Sequence, residues 1–407
     1  MRRPRLALSM LALAGAVAIG ATGASNADPG ITGKTILLGG TSPLSGPASA
    51  YASVARGADA YFEYVNARGG VNGRTIVYKV VDDAYNPAQT VQATRQLVEH
   101  DKVFAVFNSL GTEHNVATRD YLNQLRVPQL FVASGATTFG RDHKRYPYTI
   151  GFQPSYQAEG WIYGRYLART KPGAKIAVLL QNDDYGKDLL AGLRQGIARS
   201  KVKIIAAEGY EVTATDVQSQ VAKLKASGAN TLALFATPKF VIQGYVFANR
   251  LGWRPLVLNN AVSSASNIMT LASEGNTNKV VENSVSIVFL KDPTDAKWRA
   301  DAAMKLYRTI LAKYARGANA KDVYHVYGMA VAHETVRVLK ATGKTPTRAA
   351  VLAQMRMLSD ASNPFLLPGI AVRTSGTERF PIEQALLQRW SEGSWTSFGG
   401  LWGYRSG

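Results

Sequence analysis

Two successive runs of strand–helix alternation constrain this chain more than any other feature of its sequence. In the first run, Thr35 to Gly39 reads as a strand, Ser53 to Asn66 as an amphipathic helix and Arg74 to Val81 as a strand. Pro87 then opens a helix at the position proline tolerates best. Val103 to Phe107 is a β-branched and aromatic strand, followed by a polar turn, Asn108 to Thr112, and a helical pattern with Val116, Tyr121, Leu122 and Leu125 on its apolar side. Gln129 to Ala133 closes the run as a strand. The second run has strands at Lys175 to Leu180, Val202 to Ala207, Thr231 to Phe235 and Leu256 to Leu258. Helices at Tyr185 to Ala198, Thr215 to Ala226 and Pro238 to Leu251 separate them. Alternation at this spacing predicts mostly parallel sheets with helices on both faces. At 407 residues the chain suits two such units rather than one.

The segment joining the runs, Ile150 to Tyr156, is short and suits a hinge. Beyond the second run come a strand at Ser284 to Leu290 and helical stretches at Thr294 to Ala315, Asp322 to Ala341 and Pro346 to Leu358. A hairpin over Ala385 to Phe398 turns at Glu392-Gly393.

The N-terminus has the pattern of an export signal. Arg2, Arg3 and Arg5 form a basic region, Leu6 to Ala21 an apolar one, and Ser25-Asn26-Ala27 a small-residue cleavage site. Cleavage is expected after Ala27; an ordinary basic leader explains Arg2-Arg3 better than twin-arginine export. The chain has no cysteine, which excludes disulfides and a lipid on an N-terminal cysteine. The expected compartment is therefore a periplasm, with no lipid anchor. The formal charge is +19, but the lysines and arginines are scattered singly. That distribution argues against nucleic acid and for mild steering of anionic solutes.

Signatures of catalysis and metal binding are lacking. The five histidines, His100, His114, His143, His325 and His333, fall in no metal-ligand spacing, and there is no Walker loop, G-x-G-x-x-G or G-x-S-x-G motif. No cofactor or metal is expected, and the chain is not expected to be an enzyme. Asp82-Asp83 and Asp183-Asp184 sit at strand ends, where acids cap helices or face solvent.

Ligands of open α/β sheets bind outside the carboxyl ends of the strands. Helix N-termini there present N–H groups and partial positive charge suited to a carboxylate or phosphate. Gly111 and Thr112 stand at such a point: the glycine permits close backbone approach, and the threonine either caps the helix or donates its hydroxyl. Gly135 and Thr137 follow another strand of the first unit, and Tyr185 follows a strand of the second, where it either faces a ligand or packs on its own unit.

The sequence resembles the periplasmic leucine/isoleucine/valine-binding proteins, the type I solute-binding components of ABC importers. The likeness runs over nearly the whole chain after the leader. Pro43-Leu44-Ser45-Gly46-Pro47 with Tyr51, Gly57-Ala58 and Val65 to Gly73 carry it. So do Asp82-Asp83 with Pro87, Ser109 to Thr112, Ala133 to Thr137 and Asp184-Tyr185-Gly186.

The resemblance implies a two-lobed α/β fold with ligand clamped in the cleft. One lobe would comprise residues 28–150 and 289–370, the other 151–288 and 371–407, joined by three crossings that include Ile150 to Gln153 and Val288 to Leu290. It implies that Gly111, Thr112, Gly135 and Thr137 hold a carboxylate, and that Tyr51 and Tyr185 contact ligand from the two sides. Tyr324 is a further candidate, or else a core residue of its helix. The implied partners are a small carboxylate-bearing solute and permease subunits in the inner membrane, served by a monomer; a sensor that presents ligand to a receptor and a secreted α/β hydrolase are the alternatives.

Two departures from the family pattern matter. The positions matching a disulfide of better-known members are Tyr85 and Leu110. Where amino-acid binders of the family place an acid for the ligand's amine, this chain has Leu258-Asn259-Asn260-Ala261-Val262. Asp183 or Asp184, beside Tyr185, is the candidate substitute, but the balance favours a carboxylate lacking an α-amine, such as an aromatic or branched aliphatic acid, with branched-chain and hydrophobic amino acids as the competing class.

Overall fold

The computed structural model describes residues 28–404. The expected export signal therefore lies outside the described residues.

The first sheet has the order β2-β1-β3-β4-β5 and all its pairings are parallel. Its strands are β1 (Thr35–Ser42), β2 (Thr75–Asp82), β3 (Ala105–Phe107), β4 (Gln129–Val132) and β5 (Thr149–Gly151). Between them run α1 (Ala52–Asn66), α2 (Pro87–Arg95), α3 (Thr112–Gln124) and the short α4 (Thr138–Arg141). Local chemistry sets several of these starts. Asn86 accepts hydrogen bonds from the N–H groups of Ala88 and Gln89, so α2 begins with a side-chain cap and Pro87 in its first turn.

The chain then crosses into α5 (Tyr156–Thr170), capped by Ser155, and builds the second sheet. Its elements are β6 (Lys175–Gln181), α6 (Asp184–Ile197), β7 (Lys203–Tyr210), α7 (Gln218–Ala226), β8 (Thr231–Phe235), α8 (Pro238–Arg250), β9 (Leu256–Asn259), α9 (Ser266–Ala272) and β10 (Val285–Val288). β8 is central and buried throughout, whereas β7, at the edge, alternates exposed and partly buried residues over most of its length.

α10 (Ala302–Tyr314), α11 (Val323–Ala341) and α12 (Arg348–Met355) follow, and α10 and α11 pack against α1 beside the first sheet. A two-stranded ribbon, β11 (Ser359–Asp360) with β12 (Val372–Arg373), leads into the hairpin β13 (Gln384–Ser391) and β14 (Ser394–Gly403). The hairpin joins the second sheet antiparallel to β10, giving the order β14-β13-β10-β9-β8-β6-β7. Its turn falls at Glu392-Gly393, both with positive φ (51° and 80°), the backbone expected of a two-residue hairpin loop.

The architecture expected from the alternation is present, with local differences: α4 and α9 had no counterpart in the sequence reading, and α7 starts at Gln218 rather than Thr215. α10 starts at Ala302 rather than near Thr294, because Asp301 caps it through the Met304 N–H; Asp295 caps only a single turn ahead of it. α12 starts at Arg348, capped by Thr347. The fifteen-residue α5 has no counterpart in the sequence reading. Gly160 and Gly164 interrupt its apolar stripe and serve instead for close packing on α6. A Cβ at Gly160 would lie 2.1 Å from the Leu189 carbonyl oxygen, and one at Gly192 of α6 would lie 2.1 Å from that of Gln157.

Candidate ligand-binding site

A cavity lies between the two sheets, walled mainly by apolar and tyrosine side chains, the kind of lining usual for small-molecule sites. One wall comes from elements around the first sheet: Tyr51 and Val54 at the start of α1, Tyr85 beyond β2, Leu110 to Thr112 between β3 and α3, Ala133 beyond β4, and Val323, Tyr324 and Tyr327 from α11. The facing wall presents Tyr156 of α5, Tyr185 of α6, Thr237, Ala261 and Val262. Gln153, Phe289 and Leu290 close the side where the chain crosses.

Backbone geometry explains the residues at the β3–α3 turn. Gly111 has φ 114°, and a Cβ there would lie 2.2 Å from the His114 ring, so only glycine fits. The first intrahelical bond of α3 runs from the Asn115 N–H to the Gly111 carbonyl. The N–H groups of Thr112, Glu113 and His114 precede it, as the leading amides of a helix do. The Thr112 hydroxyl is buried and 2.7 Å from the Ser134 hydroxyl, which also accepts from the Ala136 N–H.

Tyr85 occupies a strained backbone. It and Ala84 both have positive φ (58° and 48°), a conformation costly for residues with a Cβ. Asp82 and Asp83 hold the turn by accepting from the Ala84 and Tyr85 N–H groups. The Tyr85 ring packs 4.3 Å from that of His114. Tyr85 and Leu110, the positions matching the family's disulfide, thus both serve as apolar wall.

The aromatic walls are paired. Tyr51 meets Tyr324 edge-on at 5.2 Å, and Tyr156 meets Tyr185 at 4.8 Å. Their hydroxyls are committed elsewhere: Tyr185 donates to Asn260 Oδ1 at 2.8 Å, Tyr324 donates to the Val262 carbonyl at 2.8 Å, and Tyr51 lies 3.3 Å from Ser263 Oγ. The last two bonds join the walls, so the cleft is closed. Burial raises all four phenols above their ordinary pKa, keeping them neutral.

None of the lining side chains is acidic or basic. Three nearby acids hold protein donors, and Asp184 is exposed and off the cavity. Asp183 caps α6 through the Gly186 N–H and accepts from Gln181; burial pushes its carboxyl up to about 6. Glu113 accepts from the Asp184 N–H. Glu159 of α5 is buried, with Oε1 accepting from Tyr163 at 2.7 Å and from the Ala261 N–H at 2.6 Å, and desolvation pushes it up to about 7. Asn260 donates both its amide hydrogens to carbonyls, those of Leu234 and Ala236, and accepts from Tyr185.

Of the residues singled out in the sequence, the structure brings Tyr51, Gly111, Thr112, Tyr185 and Tyr324 to the cavity. Gly135 lies under Tyr156, its carbonyl accepting the Tyr156 N–H at 2.7 Å, and does not line the cavity. Thr137 is also off the cavity; its N–H and hydroxyl both donate to Asp188 Oδ2 of α6. Sequence reasoning missed Tyr156, Phe289 and Tyr327 as wall residues. The Ser155 cap before Tyr156 was the available signal for the first; nothing local marked the others. Among the described residues, no group of three or more histidines or acids could hold a metal ion, and no helix is long and apolar enough to cross a membrane.

Two mostly parallel sheets closing over an uncharged, tyrosine-lined cleft define a two-lobed solute-binding protein. The chain belongs to the periplasmic binding protein family, whose model matches residues 35–394, in agreement with the resemblance read from the sequence. It is 27% identical over 195 residues to the leucine-, isoleucine-, valine-, threonine-, and alanine-binding protein of Pseudomonas aeruginosa, covering 48% of this chain and 52% of that protein. It is 29% identical over 199 residues to the Leu/Ile/Val-binding protein homolog 3 of Brucella melitensis, covering 48% and 53%. The chain thus spans about half the length of the curated relatives it matches. Among solved structures, a branched-chain amino acid ABC transporter protein from Thermus thermophilus with bound valine superposes with TM-score 0.78 at 19% identity, covering 92% of this chain and 97% of that one. A solute-binding protein from R. palustris in complex with benzoate gives 0.75 at 15% identity, covering 90% and 96%. At these identities the superpositions establish the fold.

Proposed function

We propose that this protein is the periplasmic solute-binding subunit of an ABC importer, and that it captures a small carboxylate-bearing solute by lobe closure without transforming it. The observation that carries this reading is the cavity itself. It lies between the lobes, the leading amides of α3 and Thr112 stand on one wall, and tyrosines face each other from both. In this reading Tyr51, Gly111, Thr112 and Tyr185 contact the ligand, joined by Tyr156 and Tyr324. Gly135 and Thr137 shape the junction between lobes.

The closing units are residues 28–150 with 289–370, and 151–288 with 371–407, turning about the three crossings. Export through the N-terminal signal places the protein in the periplasm, where it presents its load to permease subunits in the inner membrane. Its relatives in Pseudomonas and Brucella, named as amino-acid binders, support a solute of comparable size.

Phenylacetate against phenylacetamide tests the reading, because the pair differs only in the ionised group. The carboxylate is expected to raise the melting temperature by mass action and to shrink the radius of gyration in small-angle scattering. Equal response to the amide would remove the carboxylate from the reading, and a ligand-bound molecule no more compact than the free one would remove closure.

A further inference from the structure

We infer that the ligand is a hydrophobic, ring-bearing carboxylate with no α-ammonium group; the inference rests on the reading of this cleft as a carboxylate site and narrows it. The argument is an asymmetry in what the walls offer to charge. A carboxylate meets the leading N–H groups of the thirteen-residue α3 and the Thr112 hydroxyl, and the partial positive charge of the helix end favours it. An ammonium meets no counterpart, since no acidic side chain lines the cavity.

Of the acids nearest the cleft, Asp184 is exposed and lines no part of the cavity, and the others hold protein donors. Glu159 lies behind Ala261 and gives Oε1 to the Ala261 N–H and the Tyr163 hydroxyl. Asp183 caps α6, and Glu113 holds the Asp184 N–H. Asn260, buried behind Tyr185, has its amide hydrogens and its oxygen all engaged. A cation buried without a partner is strongly disfavoured, so an amino acid loses at one end what it gains at the other.

The rest of the cavity suits a ring. Tyr156 and Tyr185 present aromatic surface from one lobe, and Tyr51, Tyr85 and Tyr324 from the other. Offset or edge-on contacts with such surfaces favour a planar aromatic body.

Calorimetry on matched pairs with the full mature protein tests the inference: L-phenylalanine against 3-phenylpropanoate and phenylpyruvate, and L-leucine against 4-methylpentanoate. Each acid lacking the amine is expected to bind at least 100-fold more tightly than its amino acid, with the aromatic acids ahead of the aliphatic one. Equal or tighter binding by the amino acids overturns the inference while leaving the carboxylate reading intact. Binding by no member of either series overturns both.

A second arm uses Ala261→Asp, which sets a carboxylate on the wall opposite α3. It is expected to narrow or reverse the ratio between phenylalanine and 3-phenylpropanoate. A folded variant, shown by an unchanged far-ultraviolet dichroism spectrum, that keeps the wild-type ratio would count against the missing acid as the cause of selectivity.

Discussion

Thr137 of the first lobe donates both its backbone N–H and its hydroxyl to a single oxygen of Asp188 in the second, at 2.7 and 2.8 Å. Gln157 Nε2 donates to the other oxygen at 2.9 Å. The family resemblance assigned Thr137 to a ligand's carboxylate; in the closed molecule a protein carboxylate takes those donors. None of the three residues lines the cavity, so the clasp is expected to act on closure.

Asp188→Ala is therefore expected to weaken every ligand by a common factor of about ten, the worth of one or two hydrogen bonds to a charged group. The loss should appear as faster release. Hydrogen exchange at the Thr137 amide should accelerate in the variant, while the ligand-free melting temperature stays put. Unequal losses among ligands would show that Asp188 reaches the ligand.

Thr112→Val keeps the side-chain shape and removes the hydroxyl. A hydrogen bond to a charged group contributes about 1.5–3 kcal/mol, so carboxylate affinity should fall tenfold or more by calorimetry. Ser134 keeps its bond from the Ala136 N–H, and the ligand-free protein should melt nearly where the wild type does.

Glu159 gives the stability a pH dependence. Its carboxyl titrates at about 7 in the folded chain against 4.5 as the ordinary value. Between those values the folded state binds more protons than the unfolded one, so stability falls as pH rises from about 4.5 to about 7. The loss is on the order of 3 kcal/mol for such a shift. Glu334 and Asp183, also raised by burial, add slopes of the same sign. The difference between wild type and Glu159→Gln isolates the contribution of Glu159. Chemical denaturation across that window should give the flatter profile for the glutamine variant.

Gly192→Ala tests the close packing of α5 on α6. The new methyl would meet the Gln157 carbonyl at 2.1 Å, and overpacking of this kind costs about 1–3 kcal/mol. The melting temperature should drop by several degrees. Gly173→Ala, where nothing lies within 4 Å, should leave it unchanged.

The comparison of sequence with structure divides along physical lines. β8 and the hairpin turn were legible because continuous burial and a Glu-Gly turn leave local marks. So were Gly111 and Thr112, because a strand end followed by a helix start is itself a local pattern. α5 was not, since glycines needed for contact with a neighbouring helix erase the apolar periodicity that announces a helix. Tyr156 went with it. Phe289 reaches the cavity at a crossing of the chain, and Tyr327 does so one turn beyond Tyr324 on α11. The Thr137–Asp188 pair joins residues 51 positions apart on different lobes, and no local signal encodes it.

The glycine-packed pair α5 and α6 has a consequence for how this site can change. α5 begins directly at a crossing and carries Tyr156 in its first turn, while α6 carries Tyr185 and Asp188. With backbones this close the pair is packed as one unit, and in the proposed closure Tyr156, Tyr185 and Asp188 would move together, so that this half of the proposed site would act as a fixed anvil. New ligand preferences are more readily acquired on the opposite wall, where the tyrosines of α1 and α11 and the turn at Tyr85 stand on separate elements.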